Sequence, residues 1–253
     1  MMETLKRLHR KEAERVKLTA GEWRKKAPHK TNVRETEVEA PILIRPFESG
    51  DRDAVRRIFA DTAYFGDPLE TYFDDREMLC DYYVTYYTDY ESQSCFVAEA
   101  DGEVVGYIMG CLKTERQRRI LRSKIVPAVL RGLLAGKYQV GRKTWCFLLR
   151  YLRSVLRGEF PHVDEERYPA HLHINVTARF RGMGAGKGLM SRYLTWLREN
   201  SIPGVHVETT TRNAVAVDFF KQFGFQLLEA RTITFWHGFV EGEVKLLLFG
   251  KRL

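Results

Sequence analysis

The sequence predicts an α+β domain: a mixed, mainly antiparallel sheet flanked by helices, with a basic helical insertion between the third and fourth strands. Three observations carry that expectation. An apolar, β-prone run (Leu172, Ile174, Val176) stops at the glycine-dense turn Arg181-Gly182-Met183-Gly184-Ala185-Gly186-Lys187, and a helical pattern follows with Leu189, Met190, Tyr193, Leu194 and Leu197 at three- and four-residue steps. Two β-prone runs, 95–100 and 103–111, are joined by Asp101-Gly102, a two-residue hairpin signal. Two long apolar runs, Phe225 to Trp236 and Val244 to Leu253, read as final strands whose connection begins at His237-Gly238.

The remaining elements follow in chain order. Residues 1–38 are polar and basic and read as an extension, helical over roughly 2–17 or partly disordered; 39–253 form the folded domain. A short first strand, Ala40 to Pro46, ends at proline. Ser49 and Asp51 are placed to cap a helix whose apolar face is Ala54, Val55, Ile58 and Phe59. After Gly66-Asp67-Pro68 comes a tyrosine- and acid-rich segment, helical from about Asp75. The insertion covers about 114–168, with two amphipathic basic helices over about 115–135 and 142–157. A strand over 205–211 leads into a last helix that opens at Asn213 and stops at Gly224, where a C-cap glycine belongs.

Composition narrows the function classes. The 253 residues are 44% hydrophobic and 12% aromatic, which suits a globular core rather than a disordered chain. No apolar run approaches the ~20 residues that span a bilayer. Cys80, Cys95, Cys111 and Cys146 show no CxxC or metal-ligand spacing, and the N-terminus is charged from Glu3 onward with no hydrophobic signal region. A cytoplasmic location with no metal is therefore expected. The net charge of +8 is unevenly spread: residues 113–157 carry thirteen Lys or Arg against one Glu, and 61–91 carry nine Asp or Glu against Arg76 alone.

Strand, glycine turn and helix N-terminus form the layout of an anion cradle. Glycine at 182, 184 and 186 lets the backbone come close to a ligand, and the first N–H groups of the helix point outward. Arg181 and Lys187 add positive charge. The dinucleotide pattern GxGxxG fails because position 187 is lysine, and the P-loop pattern fails because 181 is arginine and 188 is glycine. The R-G-x-G-x-G run that does fit resembles the acetyl-CoA pyrophosphate loop of the GNAT superfamily of N-acetyltransferases. The later run from Asn213 through Ala216 and Phe220 to Gly224-Phe225 is similar to that superfamily's N-x-x-A-x-x-x-[YF]-x-x-x-G-F helix. The element order agrees over about 41–253.

The resemblance implies a fold, a reaction and a set of residues. The reaction would be transfer of an acetyl group from acetyl-CoA, the co-substrate, to a primary amine, small or at a peptide end, by direct attack within a ternary complex. Main chain around Val176 and Thr177 would bind the pantetheine arm, and the amides from Gly182 through Met183, Gly184, Ala185 and Gly186 to Lys187 would take the pyrophosphate. Asn213 would hydrogen-bond the arm. Two positions depart from the family pattern: Phe220 stands where many members have a tyrosine proposed to protonate the leaving thiolate, and Ala178 where proline is frequent. Members place a base or a water-holding carboxylate on the strands beside the loop, which makes His173, Glu208 and His171 the catalytic candidates.

Two other functions compete: a catalytically degenerate scaffold, which Phe220 would favour, and a nucleic-acid or membrane-surface binder using the basic insertion. The insertion reads as a helical hairpin packed on the sheet edge, a lid over the acceptor or a membrane-surface helix pair, and nucleic acid is not the expected partner. The acids Glu70, Asp74 and Asp75, interleaved with tyrosines, are expected to draw a cationic amine acceptor.

Overall fold

The computed structural model describes residues 41–253, so the extension expected over 1–38 lies outside the described residues. The sheet contains β1 (Leu43–Pro46), β2 (Cys95–Ala100), β3 (Glu103–Cys111), β4 (Ala170–Val176), β5 (Gly204–Thr210), β6 (Gln226–Ile233) and β7 (Val244–Arg252), in the order β1-β2-β3-β4-β5-β7-β6. Every neighbouring pair is antiparallel except β4 and β5. The mixed, mainly antiparallel sheet is the expected one. At the β2–β3 turn Asp101 and Gly102 have φ of 52° and 76°, the left-handed pair that a type I′ hairpin needs.

Among the described residues the α-helices are α1 (Arg52–Thr62), α2 (Arg76–Tyr83), α3 (Thr114–Ile120), α4 (Val126–Leu134), α5 (Arg142–Leu156), α6 (Ala185–Glu199) and α7 (Ala214–Gln222). Strand alternation splits the core into two layers. Val97, Tyr107 and Met109 face the layer that holds Val55, Ile58 and Met78 from α1 and α2. Phe96, Ile108 and Leu172 face the layer that holds Leu189, Tyr193 and Phe220 from α6 and α7. Gly110 permits the closest approach in the second layer: a Cβ there would lie 2.0 Å from the Tyr193 ring. The Tyr193 hydroxyl in turn donates to the His171 carbonyl at 2.8 Å, which fixes α6 across the centre of the sheet.

The helix caps correct one expectation. Asp51 stands at the start of α1, but its carboxylate accepts from Arg45 at 2.7 Å and from the Glu48 N–H at 2.8 Å rather than from the helix. Held by Arg45 first, against the desolvation of its site, the Asp51 carboxyl lies below its ordinary value.

Between β3 and β4 the chain leaves the sheet. α3 and α4 form one run through a π-helical turn at Leu121–Ile125, just before Pro127, which has no N–H to give. The link to α5 packs on the acids of α2. Asp81 accepts from Lys137 Nζ (2.6 Å), Tyr138 Oη (2.8 Å) and Arg56 (2.8 Å). Asp75 caps α2 through the Met78 N–H at 2.7 Å and also accepts the Gln139 N–H at 2.8 Å. Asp74 accepts the Thr144 N–H while its own N–H donates to Thr144 Oγ1, each at 2.9 Å.

Candidate active site

The parallel pairing of β4 and β5 is brief. Only Ala170 with Val205 and His171 with His206 are partners; beyond them the strands part. On the opposite edge β4 stays paired with β3, and the Thr177 N–H donates to the Val105 carbonyl at 2.9 Å. Strand alternation therefore turns the N–H groups of Ile174 and Val176 toward the gap, where no strand meets them. A ligand with an extended polar arm could add to this bare edge as a strand would.

The glycine turn lies at the open end of that gap. Gly184, with φ of 94°, stands at the start of α6 without a side-chain cap, and the first helical bond there is Gly188 N–H to the Gly184 carbonyl. The N–H groups of Ala185, Gly186 and Lys187 thus have no partner within the helix. A Cβ at Gly182 or Gly184 would meet nothing within 4 Å, so the space in front of the turn is open. This fits a diphosphate: uncompensated donors, a helix dipole and bare backbone. Lys187 is exposed at the same end. Arg181 is committed elsewhere, donating to the carbonyls of Val176 (3.1 Å) and Gly66 (3.0 Å). Met183 and Thr177 complete the turn, with the Met183 N–H reaching the Phe180 carbonyl at 3.4 Å and the Thr177 carbonyl accepting from Phe180 at 3.0 Å. Asn213 caps α7, its side-chain oxygen accepting the Ala216 N–H at 3.1 Å. Phe220 is buried among Phe225 and Phe249, at ring separations of 5.7 and 6.2 Å.

On the other face of the gap a cavity of about 380 Å³ opens between β4, β5 and the insertion. His171, His173, His206 and Glu208 all line it, so the three catalytic candidates share one space. Tyr83 and Tyr87 form one wall, and Thr114, Tyr151 and the 161–165 loop enclose the opposite side. Tyr151 and the 161–165 loop belong to the insertion, which the sequence offers as a lid without singling out either of them as site residues.

Each titratable group in the cavity has a distinct state. His171 is held from both ends: Nδ1 lies 2.7 Å from Thr114 Oγ1 and Nε2 lies 2.7 Å from Tyr87 Oη. Thr114 spends its only hydroxyl proton on the Pro169 carbonyl at 2.8 Å, so Nδ1 carries the imidazole proton and Nε2 accepts from Tyr87. That ring is neutral and has no free lone pair. Burial, reinforced by His206 and His173, pushes its pKa well below the ordinary value. The His173 ring makes no hydrogen bond among the described residues and packs edge-on against Tyr83 and Tyr87, with centroids 4.9 and 5.5 Å apart. Burial and then His206 push it down to about 4. His206 also falls to about 4 through burial, against the opposing pull of the Tyr168 and Ala170 carbonyls.

Glu208 behaves in the opposite sense. Glu208 is exposed to solvent through the mouth of the cavity, with the cavity walls beside it, and no described donor bonds to it. Desolvation pushes its carboxyl up to about 7. The other acid of the cavity, Glu165, is paired with Arg118 at 2.5 Å. The acids expected to meet the acceptor do not line the space: Asp74 and Asp75 are consumed by capping and by the insertion, and Glu70 pairs with Arg76. No group of three or more His, Cys, Asp or Glu among the described residues is arranged to hold a metal ion. None of the described helices is long and apolar enough to cross a membrane.

Comparison with known proteins gives the same outline. The Acetyltransferase (GNAT) family model matches residues 149–225, from within α5 to just past α7. The solved structure of SsHAT is 26% identical, covers 83% of this chain and 98% of its own, and has a TM-score of 0.63. The fold also matches a polyamine N-acetyltransferase from Drosophila melanogaster at 18% identity, with 84% and 100% covered and a TM-score of 0.55. An N-acetyltransferase from Staphylococcus aureus Mu50 matches at 14% identity, with 84% and 99% covered and a TM-score of 0.53. Residues 149–225 thus match the Acetyltransferase (GNAT) family, and the chain has the fold of the N-acetyltransferases it resembles.

Proposed function

We propose that the chain moves an acetyl group from acetyl-CoA to a primary amine, small or at the end of a peptide, by direct attack within a ternary complex, with Glu208 as general base. The observation that carries this reading is the placement of the Glu208 carboxylate, with no ion-pair partner among the described residues, in a tyrosine- and histidine-lined cavity beside the bare edge of β4. Acetyl-CoA supplies the acetyl group as a thioester. The N–H groups of Ile174 and Val176 would hold its arm, and those of Ala185, Gly186 and Lys187 its diphosphate.

The amine must lose a proton before it attacks. With a pKa of ~10.4, holding it neutral at pH 7 costs about 4.6 kcal/mol. Glu208 is poised to take that proton, because a base works best when its pKa lies near the working pH. His173 and His206, near 4, are weak bases, and His171 has no lone pair to offer. His171 is better read as a positioning residue, which fixes Tyr87 and the start of the insertion. Tyr83, Tyr87 and Tyr151 line the cavity and would offer aromatic surface to a cationic head group. The buried, hydroxyl-free Phe220 leaves no acid at that position; a thiol of pKa ~8.5 departs near neutrality without one.

The test is free-CoA release over a panel of small amines, aminosugars and peptides with the natural chain and Glu208→Gln. The expected result is a fall in kcat of roughly 10²- to 10⁴-fold with acetyl-CoA affinity unchanged. For the natural chain, activity should rise with pH through about 7 and level off above it, since only ionised Glu208 accepts the proton. A variant with nearly full activity, or one that loses acetyl-CoA binding, would overturn the assignment.

A further inference from the structure

α5 turns two different faces outward and inward. Thr144 and Ser154 are buried, and Phe147 packs on Tyr72 and Trp236. On the outward side Trp145, Leu149, Leu152 and Leu156 are 52%, 64%, 54% and 79% exposed. Their spacing of four, three and four residues lines them up as one continuous apolar seam. Leu130 and Leu134 of α4 are exposed as well, at 52% and 88%. By helical geometry Arg142 and Arg153, both exposed, run along one flank of the α5 seam. No Asp or Glu occurs anywhere from Arg116 to Gly158.

We propose that the α5 seam docks on the surface of an anionic lipid bilayer, lying in the interface with its apolar side chains in the headgroup region and its arginines among lipid phosphates. Charge decides between this occupant and the others. A second copy would set one acid-free, arginine-flanked seam against another, with no carboxylate on α5 to pair across the contact. The chain's own residues 1–40 carry eleven Lys or Arg against seven Glu, so they too share the sign of the seam. An anionic bilayer supplies both things the face lacks, an apolar bed and negative charge. A tryptophan beside leucines on one side and arginines on the flank is the composition of interfacial helices. The acids Asp81, Asp75 and Asp74, which could have neutralised the insertion, are already taken by its inner side, at Lys137, Gln139 and Thr144.

The full chain is tested by sedimentation with vesicles of equal parts phosphatidylserine and phosphatidylcholine, with pure phosphatidylcholine as control. Binding is expected to the anionic vesicles and to weaken as salt rises. Leu149→Asp with Leu152→Asp, both on the solvent side of the helix, should lower binding roughly tenfold or more. Arg142→Ala with Arg153→Ala should lower it roughly tenfold and flatten the salt dependence. Trp145→Phe should keep binding but lose the blue shift in tryptophan emission on vesicle addition. Melting curves matching those of the natural chain show that the variants are folded. No binding at low salt, or binding that neither double variant changes, overturns the proposal. So does a dimer that Leu149→Asp with Leu152→Asp dissolves, or a seam that engages only an acidic helical peptide.

Discussion

Glu208 shows at the scale of one residue how function opposes stability. Its carboxyl has an ordinary value of 4.5 and is raised to about 7 in the folded chain. The folded state therefore holds a proton that the unfolded state has released, and the sign follows: this group costs nothing below about 4.5, and stability falls as pH rises from there to about 7. Glu208→Gln cannot ionise. It should melt higher than the natural chain at pH 8, with the difference shrinking to nothing near pH 4; equal melting at both pH values would show that the carboxyl is not desolvated. The anion cradle was legible in the sequence because it is local, with glycines, strand end and helix start within a dozen positions. Glu208 and His173 were legible only as residues on the right strands. What sets their protonation is the cavity itself, whose lining, Tyr83, Tyr87 and Tyr151 among it, is brought together by packing over distances that no local pattern spans. What holds His171 was hidden for the same reason: Thr114 and Tyr87, its two partners, lie far off in the chain.

At the scale of elements, α5 depends on a cap that the sequence does not announce. Asp74 lies before α2, yet it satisfies the first turn of α5 through Thr144. Gly141 is required where that carboxylate passes, since a Cβ would lie 2.8 Å from it. Desolvation would raise the Asp74 carboxyl, but hydrogen bonds from Thr144 and Gly141 outweigh it and hold the group below its ordinary 3.8. Asp81 is likewise held low, its desolvation outweighed by Lys137, Tyr138 and Arg56. A depressed carboxylate stabilises above its ordinary pKa and loses that contribution as pH falls through its folded value. Asp74→Ala should cost about 1 kcal/mol, the usual loss on removing an N-cap. The protection of α5 amides, relative to free-chain exchange at the same pH, should then fall at pH 7, as it should for the natural chain only once pH drops through a value below 3.8. Exchange that changes equally throughout the domain would count against a local cap. The acids of 67–81 looked like a docking face for an amine because sequence shows charge but not its partner. Half of those acids, Asp74, Asp75 and Asp81, meet the insertion.

For the whole molecule, the sheet is continuous at β4–β5 through two residue pairs only. A ligand on the bare edge of β4 would span the gap, and binding to the folded state alone stabilises it, by about 2.7 kcal/mol at a hundredfold excess over Kd. Acetyl-CoA should therefore raise the melting temperature and slow amide exchange most at Ile174 and Val176. Slowing confined to α6, with those two amides unaffected, would place the arm elsewhere. The alternating apolar pattern made the strands readable, and the Asp101-Gly102 turn fixed the β2–β3 register. The brevity of the β4–β5 pairing was not readable, since both strands carry β-prone residues well past the point where they separate.

The neutral histidines of the cavity have a consequence for the reaction's charge. At pH 7 His171, His173 and His206 are uncharged, and Glu165 and Arg118 cancel each other. An ammonium entering beside ionised Glu208 forms an ion pair; once its proton crosses, both partners are neutral. Proton transfer is then annihilation of opposite charges rather than creation of a new one. The same poor solvation that raises the carboxyl also lowers the ammonium, so the two affinities converge from ~10.4 and about 7 as the amine is enclosed. Desolvation therefore helps to deprotonate its own substrate, and an amine that leaves water in the cavity should be the slower one to react.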